Sequence, residues 1–167
     1  EVKEALLELK KNPSMTQIVL DLRGNPGGLL NEAVNISNIF LEKGTEVVST
    51  KGRIKEVDNV YKTLKPAIDT DIPLAVLINR GSASASEIVA GTMKDLDRGI
   101  VVGQRSYGKG LVQQQHPLKY GSQVKITIAK YYTPSGRCIQ AINYAERAED
   151  GSVKRVPDSL RTEFKTK

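Results

Sequence analysis

Residues 81–87 read GSASASE, three serines alternating with small neighbours. A serine becomes a nucleophile for acyl transfer when a base takes its proton and nearby donors stabilise the oxyanion that forms. Ser84-Ala85-Ser86-Glu87 also fits a capping box, with Ser84 as N-cap and Glu87 three residues on. Such a cap stabilises a helix by about 1 kcal/mol. The two readings use the same geometry. A serine at a helix N-terminus faces unpaired backbone N–H groups and the positive end of the helix dipole. The flanking alanines leave its approach open. Spacing alone does not choose between cap and nucleophile.

Two side chains could serve as the base. Lys109 sits between Gly108 and Gly110, where a long side chain can reach inward. A lysine base must be neutral, which requires enough burial to lower its pKa from about 10.4. Gln113 lies four residues on, shares a face with Lys109, and can orient the amine. The opposing reading is an exposed loop lysine. His116 is the only histidine, so a Ser-His-Asp triad would have to use it. It precedes Pro117, and no acid is evidently placed to orient it. The stretch 103–110, GQRSYGKG, also approaches a phosphate-binding loop. Gly110 stands where a magnesium-ligating hydroxyl is needed, and Pro117 arrives too soon for the long helix that should come next. Cys138 is the only cysteine, which excludes an internal disulfide and a cysteine-based zinc site.

Elements must position these residues. Residues 1–11 have helical apolar spacing and end at Asn12-Pro13. Residues 17–22, QIVLDL, predict a buried strand, and RGNPGG at 23–28 a turn. Residues 29–41 predict an amphipathic helix with Gly44 as its C-cap. Residues 46–49 predict a strand, and 51–70 a hairpin and a loop. Ile72–Ile78 predicts a second buried strand, running into the serine motif and a helix over 86–96. Gly99–Gly103 predicts a third, and the QRSYGKG loop comes after it. Strands are predicted at 112–115 and 123–132. From Glu146 onward the charged composition predicts a frayed or incomplete end.

Strand and helix in alternation mark an α/β fold with a mixed, mostly parallel sheet and covering helices. Active sites in such sheets gather at the C-terminal strand ends. RGNPGG, GSASASE and SYGKG are all expected there. The chain has 167 residues, 39% hydrophobic and 26% charged, enough for one domain with a real core. It contains no apolar run long enough to span a membrane. The net charge is +6, but the basic residues read as scattered among acids, and aromatics are only 5%. That composition argues against a nucleic-acid surface. The opening at Glu1, helical and without Met, suggests a piece of a longer protein.

Four strings, LDLRGNPGG, NRGSASASEIVAG, VVGQRSYGKGLVQ and KYYTPSGRCIQ, succeed one another across roughly residues 1–140. Together they resemble the C-terminal processing peptidases, also called tail-specific proteases. The resemblance implies a ClpP/crotonase-like core over 1–145, with 146–167 as a charged C-terminal segment. It implies a Ser-Lys dyad with Ser84 as nucleophile, Lys109 as general base and Gln113 supporting the base. The oxyanion hole would be the N–H of Ala85 and that of Gly27 or Gly28, with no metal or cofactor. Ser82 and Ser86 become small neighbours that keep the turn tight. The implied substrates are polypeptides with flexible C-terminal tails, met in the cell envelope or periplasm, and a homo-oligomer is compatible. A PDZ domain is expected upstream and is absent from this chain. Low or no activity is expected of the piece alone, because the burial of its base needs cover. A non-catalytic peptide-binding domain on the same fold is the alternative; a hydratase or thioesterase comes third.

Overall fold

The computed structural model describes residues 1–155. In chain order the elements are α1 (Val2–Leu9), β1 (Ile18–Asp21), α2 (Leu30–Phe40), β2 (Glu46–Gly52), β3 (Asn59–Lys62), β4 (Leu74–Ile78), α3 (Ala85–Asp95), β5 (Ile100–Gly103), β6 (Leu111–Pro117), β7 (Gln123–Tyr132), β8 (Ile142–Arg147) and β9 (Val153–Arg155). Among the described residues no helix is long and apolar enough to cross a membrane.

The short apolar runs form a parallel sheet in the order β1-β4-β5. Val19, Ala75 and Ile100 are in register across it, and one step on Leu20, Val76 and Val101. Only one face is packed. Val76 is fully buried, while Val19 is 58% and Ile100 66% exposed. The two outer strands are therefore half-exposed edges, not the buried strands that their unbroken apolar character predicts. Continuous apolar character is the mark of a sheet covered on both faces; here the described residues cover one.

The remaining strands are antiparallel. A second sheet runs β3-β2-β7-β6, and β8 pairs with β9. The mostly parallel expectation is thus corrected: the parallel part is three strands, in a mixed α/β fold. Periodicity identified the later strands but could not say which neighbour each would take. Before Ala129, β7 pairs with β6 alone, so residues 113–117 and 123–127 form an exposed two-stranded ribbon.

Helix α3 is the centre of the core. Every residue from Ala85 to Met93 is buried. Ile88, Val89 and Met93 pack with Val34, Phe40, Val47 and Val76. Thr92 Oγ1 donates to the Val47 carbonyl at 2.8 Å, tying α3 to β2. Arg98, just past α3, donates from Nε to the Phe40 carbonyl at 3.0 Å and holds the end of α2.

Two local expectations change. Gly44 does not cap α2: Leu41 is already extended, and Gly44, at φ +88°, turns the chain into β2. The segment from Glu146 is not frayed throughout, because β8 reaches Arg147 and β9 returns at Val153. The rest of that charged segment, 156–167, lies outside the described residues.

Candidate functional site

The three strands of the parallel sheet end in the three loops singled out in the sequence. RGNPGG comes after β1, the serine motif after β4, and QRSYGKG after β5. All three open at the carboxyl edge of one sheet, where such folds place their chemistry.

The loops are stitched by buried polar contacts. Ser82, fully buried, donates from Oγ to the Leu22 carbonyl at 2.7 Å and accepts from the Asn79 N–H at 3.0 Å. Asn79 Oδ1 accepts from the N–H groups of Gly24 and Gly81. The Ala83 N–H donates to the Asn25 carbonyl, and the Tyr107 N–H to the Ser82 carbonyl, each at 3.0 Å. Ser82 is therefore a structural pin joining the turn after β1 to the turn after β4.

Ser84 is the N-cap of α3, at φ +55° and ψ −116°. A non-glycine residue there is strained, and such strain persists only where the surroundings over-determine it. Gly27 is one reason it persists. A Cβ on Gly27, itself at φ +91°, would lie 2.5 Å from the Ala83 carbonyl oxygen and 2.7 Å from the Ala85 nitrogen. Only glycine lets the RGNPGG turn approach the serine so closely. The Gly27 N–H donates to Asn25 Oδ1 at 2.9 Å. Among the described residues, the N–H groups of Gly28 and Ala85 have no hydrogen-bond partner. At the head of the same turn, the exposed Asp21 carboxyl is held at about 2 by the Arg23 side chain and N–H that hydrogen-bond it.

The capping box predicted at Ser84 is present, but Glu87 does more than close it. Its carboxylate is 7% exposed and accepts four hydrogen bonds. Oε2 takes the N–H of Ser84 at 2.9 Å and that of Lys109 at 2.8 Å. Oε1 takes the Ser106 hydroxyl and the Gly108 N–H, both at 2.6 Å. One oxygen thus holds the backbones of residues 84 and 109 within two hydrogen-bond lengths of each other. Sequence reasoning assigned Glu87 only a local cap. The available signal was an acid next to an otherwise apolar helix face, which requires compensation when buried.

On its other side, the Lys109 loop lies against residues 139–141. The Ala141 N–H donates to the Gly108 carbonyl, and the Gly110 N–H to Gln140 Oε1. A Cβ on Gly108 would collide with that of Ala141. The Lys109 backbone is therefore clamped from both sides while its side chain is exposed.

Lys109 opens on a cleft of about 820 Å³ shared with Pro26, Ala83, Leu111 and Gln113. Gln113 lies on β6 opposite Thr127, and its amide donates to Thr127 Oγ1 at 3.4 Å. His116 is farther out on the ribbon, opposite Val124 and exposed, and does not line the cleft. The phosphate-loop reading fails just past the glycines, where β6 is a strand and offers no helix N-terminus.

The profile of peptidase family S41 matches residues 1–146. A protein named probable CtpA-like serine protease, from Staphylococcus aureus strain N315, is 46% identical over 141 residues, covering 83% of this chain and 28% of that protein. A carboxy-terminal-processing protease of Bartonella bacilliformis is 52% identical over 125 residues, covering 74% of this chain and 28% of its own. Among solved structures, the photosystem II D1 C-terminal processing protease superposes with a TM-score of 0.76 at 39% identity, over 83% of this chain and 35% of that one. The chain thus spans about a third or less of the length of these relatives.

Proposed function

The chain belongs to peptidase family S41, and from that premise we propose that it carries the catalytic centre of a serine endopeptidase that cleaves unfolded or C-terminal segments of polypeptides. Ser84 is the nucleophile and Lys109 the general base, with Gln113 supporting the base from the cleft wall. Neutral Lys109 takes the Ser84 proton as Oγ attacks the scissile carbonyl carbon. The oxyanion is held by the N–H of Ala85 and that of Gly28. Of the two glycines, Gly28 fits better, because the Gly27 N–H already donates to Asn25. The tetrahedral intermediate collapses with loss of the amine, protonated by Lys109, and water activated by the same lysine hydrolyses the acyl-enzyme. We place this centre on a ClpP/crotonase-like core. The whole protein would carry a PDZ domain and act in the cell envelope or periplasm.

The observation that carries the proposal is the shared Glu87 oxygen, which couples the backbones of the proposed nucleophile and base. One observation favours a second reading, a non-catalytic peptide-binding domain. Lys109 is exposed, whereas a lysine base works when burial keeps it neutral.

Covalent labelling by a fluorophosphonate probe separates the two. Full-length protein should label at Ser84 with a rate that rises as a single base loses its proton. Labelling should vanish in Ser84→Ala and Lys109→Ala. No labelling of the full-length protein at any pH establishes the binding-domain reading. Labelling that survives Lys109→Ala but is lost in His116→Ala moves the base to His116.

A further inference from the structure

The cleft beside Lys109 has a one-sided charge. Its lining includes Tyr107, Tyr144, Leu111 and Ile142, and its charged side chains are two lysines, Lys109 and Lys130. Among the described residues no carboxylate lines it. Lys130 lies on β7 opposite Leu111, two residues past Lys109. A β-bulge brings it to this face. Val112 pairs with Ala129 but Gln113 with Thr127, so Ile128 is the extra residue. In an unbroken strand Thr127 and Lys130, three apart, would point to opposite faces; the bulge puts both into the cleft.

Lys130 is exposed, and among the described residues its ammonium has no carboxylate or hydrogen-bond partner. Lys10 and Lys11, by contrast, are paired with Asp69 and Glu8. The surrounding sequence does not offer a partner either. Between Asp97 and Glu146 the chain has seven Lys and Arg residues and no Asp or Glu. The impression of basic residues scattered among acids fails for this stretch, which supplies β5, β6 and β7.

We propose that Lys130 is a specificity-determining residue: it receives a carboxylate of the bound polypeptide beside the reacting groups, so that the cleft selects anionic stretches over neutral ones of the same shape. This rests on the peptidase reading for its ligand class. Lys109 must be neutral to act as a base, so Lys130 is the cation of the cleft that remains available to an anion. The carboxylate can be an Asp or Glu side chain or the free C-terminus. The pair is partly solvated, which sets its size at about fivefold in affinity at low ionic strength, with strong screening by salt.

Equilibrium binding tests this without turnover. Fluorescence anisotropy would track extended peptides on full-length Ser84→Ala protein. One set of twins differs by Glu against Gln at an internal position, the other by a C-terminal acid against an amide. At least one charged twin should bind about fivefold tighter at low ionic strength, converging on its neutral twin by about 0.5 M salt. The twin set that shows the preference identifies the source of the carboxylate. Lys130→Gln should abolish the preference and leave the neutral twins unchanged, and Lys130→Arg should retain it. Equal binding within both sets, a preference that persists in Lys130→Gln, or no binding of any peptide overturns the proposal. The readout is independent of the labelling experiment, so either reading can fail alone.

Discussion

The two sides of the cleft are built differently. On the serine side, Ser82, Ala83, Ala85, Ser86 and Glu87 are all buried, and the strained Ser84 backbone is wedged against Gly27. On the lysine side, the backbone of residues 108–110 is clamped between Glu87 and residues 139–141, while the side chains of Lys109, Gln113 and Lys130 are exposed. The site therefore fixes where Lys109, the proposed base, is anchored more firmly than where its amine lies. Geometry at Ser84 is a property of the core, and geometry at the Lys109 amine depends on what fills or covers the cleft.

The sharpest way to break this comparison is through the residue that serves both sides. Glu87→Ala leaves three N–H groups and a hydroxyl without their acceptor in a buried place. It should lower stability by about 3 kcal/mol or more, read by urea denaturation, and abolish probe labelling. A loss well under 1 kcal/mol would mean that the two loops hold their positions without the carboxylate. Gly27→Ala attacks the serine side alone. Its Cβ would collide with backbone and its φ is left-handed, so a cost of roughly 2 kcal/mol is expected, with labelling lost even where the protein stays folded. The smallest effect belongs to the other side. Lys109→Ala should change stability by no more than about 0.5 kcal/mol while abolishing labelling. A large destabilisation there would show that the lysine side chain holds the fold together, and the contrast between the two sides would disappear.

Much of this was legible in the sequence for physical reasons. Short β-rich runs, glycine-proline turns and helical apolar spacing are local signals, and they located all three parallel strands and the loops at their ends. The SASASE motif placed Ser84 at a helix start because caps and helix termini have a local grammar. What was missed depends on distant partners. Glu87 reads as a cap because its cap partner is three residues away; its other partners, Ser106, Gly108 and Lys109, are 19, 21 and 22 residues away. Gly108 and Gly110 look like loop flexibility until residues 139–141 are seen pressed against them. The alternation in β7 announces a strand but not its antiparallel neighbours, nor the bulge that turns Lys130 into the cleft. The acid-free stretch was visible throughout, yet only its position around the cleft gives it meaning.

The Glu87 bridge also has a consequence for the order of folding. To join the two halves it carries, the chain closes a loop of 22 residues, and the cost of closure grows only slowly with loop length. The span between them is α3 and β5, whose contacts are short in sequence, and short-range topology forms fast. The RGNPGG turn and Leu22 just before it, by contrast, reach Asn79 and Ser82 across 55 and 60 residues. Serine and lysine loops should thus meet early, before the RGNPGG turn docks and before the β6–β7 ribbon is complete. In a complete chain refolding from the denatured state, the loops of Ser84 and Lys109 would be joined first and the RGNPGG turn would dock last.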